Sequence, residues 1–409
     1  MGLMSSIIYE IASADKRTRS QGVLCSLRGS PGLVQLRKPC RGRGRSSGPS
    51  RGQGSSRHSR VKQSLLVSCD AAPGLSSELK LAVPWGHIAA KAWGSLQGPP
   101  VLCLHGWLDN ANSFDRLIPL LPSDFHYVAM DFGGHGLSSH YSPGLPYYHQ
   151  NFVSEIQRVV AALKWTRFSL MGHSFGGTVG GMFSRTFPEM VDKLILLDSM
   201  PFFLDSNEME SILTYKRRAI ENTLQVEASQ KPSSVVSPQE MLQGFLKNNS
   251  HVGEECGEIL LQRGTTQVAT GLVLNRDRRI SWVKHSFDFI SMELFAHSIR
   301  RLQAHILLIK ARQGYYDVRR ENDADKAPLL FMLDTMRATL KERFQFVEVP
   351  GNHYAHMSEP HRVASITSSL RSKGRVPARL QLWAQAVEAS CSHLSAANKR
   401  GSGDGPRWS

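Results

Sequence analysis

Short apolar runs punctuate the chain at 101–104, 127–130 and 168–171, each followed by a glycine-containing turn. Runs of that length bounded by turns predict strands buried on both faces. Further runs at 193–197, 305–310 and 344–349 continue the series, and 79–83 with 87–93, split by Pro84-Trp85-Gly86, read as an opening hairpin. The stretches between strands suit helices, so the pattern predicts an α/β fold with a mostly parallel central sheet flanked by helices. The rhythm breaks at 199–300, which reads as helical throughout. Met209, Ile212, Leu213, Lys216, Ile220 and Leu224 keep helical spacing, and Ser237-Pro238-Gln239-Glu240 is a capping box with proline at the first helical position. About a hundred helical residues inserted into a sheet domain predict a cap over one end of the sheet. The sheet domain is then 75–198 together with 301–370.

Charge changes the picture at the ends of the chain. The 409 residues are 20% charged and 41% hydrophobic, which allows a large core and excludes collagenous, disulfide-scaffold and wholly disordered classes. The formal charge of +15 suggests nucleic acid until it is divided along the sequence. Residues 1–63 carry 13 Lys/Arg against 2 Asp/Glu, residues 371–409 carry 7 against 2, and the 307 between them carry 29 against 30. The body is neutral and the basicity belongs to two tails, 1–70 and 371–409. Gly42 to Arg60 is almost wholly Gly, Ser, Arg and Pro and predicts disorder, while Leu380, Trp383 and Val387 suit one short helix in an otherwise disordered end. A basic leader that contacts RNA or acidic membranes is an alternative partner reading; Glu10 and Asp15 argue against a transit peptide.

Six cysteines, Cys25, Cys40, Cys69, Cys103, Cys256 and Cys391, show no metal-ligand spacing, so neither a zinc site nor a disulfide framework is expected. No run reaches the ~18 apolar residues of a membrane span. These features predict an intracellular, cytoplasmic protein that is not secreted.

The chemistry gathers around Gly172-His173-Ser174-Phe175-Gly176, which matches G-x-S-x-G, the nucleophile elbow. The pattern alone is weak, because 44–48 (GRSSG) and 48–52 (GPSRG) match it inside the basic leader. Only Ser174 follows an apolar strand and precedes a helix-compatible run, 178–187. A serine hydroxyl needs a base, and in this setting the order along the chain is Ser, acid, His. His353, in the loop past the last strand, is the candidate base, with His356 as competitor. The acid belongs on a loop after an earlier strand; Asp317 is preferred, and Asp198, directly after the run 193–197, is the alternative. Two backbone donors complete an oxyanion hole, the N–H of Phe175 and that of Trp107, with His105 and Gly106 shaping the second loop.

His105-Gly106-Trp107, DFGGHGLSSH at 131–140, GHSFGG at 172–177 and GNHYAHMSEP at 351–360 occur in the order used by the α/β-hydrolase superfamily, which the chain resembles. LCLHGWLDNANSFDRLIPLLP (102–122) and VAMDFGGHGLSSHY (128–141) resemble the vertebrate serine hydrolase-like proteins, from about Leu75 to Leu370. The resemblance implies Ser174 as nucleophile, His353 as its partner and 199–300 as the cap over a substrate pocket. Segments 263–265 and 275–277 share it without a role. Epoxide hydrolases and dehalogenases of the same branch carry a carboxylate at the position of Ser174, so ester, thioester or amide hydrolysis remains, on a small-molecule acyl substrate. Gly133 stands where many relatives have proline, and the tails have no counterpart in the resemblance. It also implies perinuclear or peroxisomal association as an alternative location.

The expectation is therefore a serine hydrolase, carboxylesterase-like, with a Ser174-His353-Asp317 triad, an acyl-enzyme intermediate and no metal or organic cofactor. Ile212, Leu213, Phe245, Leu246 and Leu272 in the cap suggest an apolar substrate group. The rival reading is a binding protein on a hydrolase scaffold, motivated by the long loop KARQGYYDVRRENDADK (310–326) with Asp317, Asp323 and Asp325.

Overall fold

The computed structural model describes residues 76–202, 208–229, 233–249, 251–280, 290–314 and 327–369. Both basic tails, with the short helix expected at Leu380, lie outside the described residues, as does Asp317.

The described strands are β1 (Ser77–Val83), β2 (Gly86–Gly94), β3 (Pro100–Leu104), β4 (His126–Met130), β5 (Phe168–His173), β6 (Val191–Leu197), β7 (Thr265–Val268), β8 (Gly271–Leu274), β9 (His305–Gln313) and β10 (Phe344–Asn352). The helices are α1 (His149–Ala162), α2 (Phe175–Thr186), α3 (Glu208–Ala228), α4 (Pro238–Asn248), α5 (Glu254–Gly264), α6 (Met292–Arg301), α7 (Ala327–Leu340), α8 (Ala355–Ser358) and α9 (Pro360–Ser369). Eight strands form one sheet in the order β1-β2-β4-β3-β5-β6-β9-β10. Strand β2 runs antiparallel to both neighbours, and every pair from β4 to β10 is parallel.

The continuous apolar runs are explained by burial on both faces. Leu102, Leu104, Val128, Met130, Leu194, Leu196, Ile306 and Leu308 enter one core with Phe152 and Ile156 of α1, Val179 and Phe183 of α2, Phe295 of α6 and Met332 of α7. Their alternates, Val101, Cys103, Tyr127, Ala129, Ile195, Leu197, Leu307 and Ile309, enter a second core with Phe114 and Leu117 and with Val363 and Ile366 of α9. The two-residue period of a strand separates the sets. Each buried Leu or Ile contributes roughly 1.5–3 kcal/mol.

The segment between β6 and β9 supplies α3, α4, α5 and α6. Ser237 caps α4 through the expected box, its hydroxyl accepting from Glu240 N–H while the Glu240 carboxylate accepts from Ser237 N–H. The segment is not helical throughout, because β7 and β8 pair as an antiparallel hairpin. Thr265, Thr266, Val268 and Val273 supply β-branched side chains, and Gly271 at φ 150 makes the turn that a helix reading of this stretch misses.

The segment is tied to the sheet by a buried ion pair. Arg263 donates from Nε to Asp131 Oδ2 at 2.8 Å and from Nη1 to Glu78 at 2.7 Å. Asp131 also accepts from the amides of Ala111 and Leu137. Asn275 donates to Arg263 O at 3.0 Å, and Asp277 accepts from Tyr147 Oη at 2.8 Å. The two stretches 263–265 and 275–277 thus join the insertion to the loop 131–137. Phe245 and Leu246 are turned toward Gly257 of α5, Leu213 is exposed, and the Ile212 side chain lies outside the described residues.

Candidate active site

Four neighbouring parallel strands, β5, β6, β9 and β10, end at the same edge of the sheet. Pairing of His173 with Leu197 puts the next residues, Ser174 and Asp198, side by side beyond that edge. Both adopt left-handed backbone conformations, Ser174 at φ 49, ψ −119 and Asp198 at φ 44. Such conformations are costly for residues with a Cβ and persist only where the surroundings fix them. Ser174 N–H donates to Leu197 O, and Ser174 O accepts from Gly177 N–H and from the Ser199 hydroxyl. The sharp turn needs glycines on both sides. A Cβ on Gly172 would lie 2.4 Å from Gly177 N, and one on Gly176 would lie 2.2 Å from Leu104 O.

Asp198 continues the β6 register by donating its N–H to Ile309 O at 2.7 Å. Its carboxylate accepts from Ala311 N–H on Oδ1 at 2.9 Å and from His353 Nδ1 on Oδ2 at 2.6 Å. Among the described residues the carboxylate that meets His353 is therefore that of Asp198. The neighbouring ends of β6, β9 and β10 bring Asp198 to the imidazole across 155 residues of sequence, while Asp317 lies outside the described residues. Burial lowers the His353 pKa below the usual imidazole value, opposed by the hydrogen bond to Asp198 and reinforced by His173. With Nδ1 donating to the carboxylate, Nε2 of the neutral ring is the basic nitrogen.

The competitor is differently placed. His356 shares Nε2 with Ser113 Oγ at 2.8 Å, and burial holds its pKa well below the usual value. Sequence spacing between the two histidines could not reveal that Ser113, 243 residues away, takes one of them.

Trp107 and Phe175 meet, with ring centroids 4.8 Å apart. Phe175 opens α2, so its N–H belongs to the first turn, which has no intrahelical acceptors. The loop carrying Trp107 is a tight turn, with Asp109 N–H donating to Gly106 O at 3.2 Å and Leu108 at φ 67. His105 fixes its start: Nδ1 donates to Gly106 O at 2.7 Å and Nε2 accepts from Phe132 N–H at 3.0 Å. Burial lowers the pKa of His105, consistent with a neutral ring in that tautomer.

Sequence reasoning overlooked His173, Asp109 and Tyr354. His173 is fully buried, its Nε2 2.9 Å from His353 O and its Nδ1 3.5 Å from Asp109 Oδ2; Tyr354 Oη donates to Asp109 Oδ1 at 3.1 Å. The insertion reaches the same place, since Val252, Cys256 and Leu260 pack with Tyr354 and Met357, and Asn110 donates to Leu260 O. Among the described residues no group of His, Cys, Asp and Glu side chains could hold a metal ion, and no helix is long and apolar enough to cross a membrane.

Residues 99–360 match the alpha/beta hydrolase fold family. The chain is 74% identical over 315 residues to serine hydrolase-like protein 2 of Homo sapiens, covering 77% of this chain and 100% of the relative. It is 76% identical over 294 residues to the serine hydrolase-like protein of Mus musculus, covering 72% and 94%. A crystal structure of a hypothetical protein from Pseudomonas aeruginosa PAO1 superposes with a TM-score of 0.63 at 27% identity, covering 72% of this chain and 99% of that one.

Proposed function

The chain belongs to the alpha/beta hydrolase fold family, and from that membership we propose that it is a serine hydrolase acting on an ester, thioester or amide. The observation that carries this reading is the His353–Asp198 hydrogen bond of 2.6 Å beside a serine held at φ 49 on the next strand end. Ser174 Oγ attacks the acyl carbonyl while His353 Nε2 takes its proton, and Asp198 holds the ring and stabilises the imidazolium. The N–H groups of Phe175 and Trp107 receive the developing oxyanion. Collapse expels the leaving group, protonated by His353, and forms an acyl-Ser174 ester. Water, deprotonated by His353, then releases the acid and restores the serine. The inserted segment acts as the cap over the acyl pocket, and the carboxylesterase class suits the small set of groups required.

Intact mass after treatment with a fluorophosphonate tests this. The wild type is expected to gain one adduct, and Ser174→Ala and His353→Ala none. Folded wild-type protein that gains no adduct overturns the reading in favour of a binding protein on this scaffold.

A further inference from the structure

The mechanism leaves unused a second buried acid and imidazole, one residue before Ser174. His173 Nε2 lies 2.9 Å from a backbone carbonyl, that of His353, and a carbonyl only accepts, so Nε2 carries hydrogen. The other ring nitrogen, Nδ1, faces Asp109 Oδ2 at 3.5 Å. Both atoms are buried and neither hydrogen-bonds to anything else among the described residues. Two acceptors facing each other in a buried site would be costly, so the approach calls for one hydrogen between Nδ1 and Oδ2. Asp109 Oδ1 is engaged by Tyr354 Oη. The sequence leaves room for this meeting at Gly106, where a Cβ would come 2.6 Å from Asp109 Oδ2 and 2.8 Å from His173 Nδ1.

The groups around His173 come from three elements. The loop after β3 brings Asp109; the end of β10 and α8 bring His353, Tyr354 and His356, with ring centroids 4.7, 5.0 and 4.1 Å from that of His173. The insertion brings His251, 5.9 Å from the Tyr354 ring. Asp109 and His173 therefore bridge the loop of the Trp107 donor, the strand end of Ser174 and the backbone of His353. We propose that Asp109 and His173 are positioning residues that hold the oxyanion loop in register with the serine and its base, without touching substrate. This rests on the serine hydrolase reading above.

The two are separated by first establishing the fluorophosphonate adduct on wild-type protein, then measuring turnover of p-nitrophenyl acetate by folded variants. Asp109→Ala should lower kcat by about tenfold or more, with KM within about twofold, because a loop displaced by a fraction of an ångström misplaces the donor. Asp109→Asn should recover kcat to within about threefold of wild type, since its amide donates to His173 Nδ1 and its carbonyl accepts from Tyr354. A role in stability alone would lower Tm and leave kcat of the folded fraction unchanged. Wild-type kcat in folded Asp109→Ala, or Asn no better than Ala, overturns the proposal. If Asp109→Ala does not fold, Tyr354→Phe removes only the hydroxyl on Asp109; a reduced kcat at constant KM supports the bridge and an unchanged kcat overturns it.

Discussion

Among the described residues, two buried pairs of aspartate and histidine stand within one cluster of rings, and they differ in what the second ring nitrogen meets. In the Asp198–His353 pair the carboxylate is 2.6 Å from Nδ1 and is itself held by Ala311 N–H, while the opposite nitrogen lies on the side away from the acid. In the Asp109–His173 pair the separation is 3.5 Å, and the opposite nitrogen is committed to the His353 carbonyl. The same two residue types therefore support different roles. An acid beside an imidazole orients a ring; whether the ring exchanges protons with a reactant depends on its other nitrogen.

The sharpest break would come at Asp198. Asp198→Asn keeps the shape but offers an amide to Nδ1, favouring the tautomer in which Nε2 holds the hydrogen and cannot act as base. kcat/KM toward p-nitrophenyl acetate should fall by about 10³–10⁴-fold. Asp317→Asn should stay within about twofold of wild type, as expected of a carboxylate without a role in the reaction. A large loss in Asp317→Asn with a small one in Asp198→Asn would reverse the assignment of the acid.

Asp198 was harder to rank from sequence than Ser174 for a physical reason. Ser174 announces itself locally, through the strand before it, the helix after it and glycines that must pack within van der Waals distance of backbone. Asp198 depends on which strand lies beside β6, and on a left-handed backbone at φ 44 that turns its carboxylate across β9. Strand neighbours are non-local, and apolar runs reveal strands without revealing their order. His353 and His356 are separated by their partners, an aspartate 155 residues and a serine 243 residues away. The β7–β8 hairpin is hidden in the sequence because four-residue strands carry too few positions for a two-residue period to stand out from a helical one. Arg263 carries no local sign of its role, because its partner Asp131 stands 132 residues earlier in the chain.

The second break concerns pH. Burial keeps the His353 pKa below 6.5, and the base must be neutral to act. Activity should therefore hold as pH falls through 6.5 and decline only at lower pH, where His353 becomes protonated. The hydrogen bond and charge of Asp198 pull the pKa upward, so any residual activity of Asp198→Asn should have its acid limb displaced to still lower pH. The pH dependence of kcat/KM from 4.5 to 8.5 checks both, and a wild-type midpoint above 7 would contradict the assignment of His353 as a buried base.

The smallest expected effect concerns the third imidazole of the cluster. His356 bonds Ser113 rather than an acid, and its ring is 4.1 Å from that of His173, so it can contribute packing without a part in the chemistry. Ser113→Ala should cost roughly 1–2 kcal/mol in urea unfolding at pH 7.5, the cost of leaving a buried ring nitrogen without its partner, while kcat/KM stays unchanged. The sign with pH follows from burial. His356 is held neutral in the fold, its pKa well below 6.5, so unfolding takes up a proton and stability falls as pH drops below the unfolded value near 6.5. The urea midpoint should accordingly be lower at pH 5.5 than at pH 7.5. A Ser113→Ala protein of undiminished stability but tenfold lower kcat would move His356 out of the packing role and into the company of Asp109 and His173.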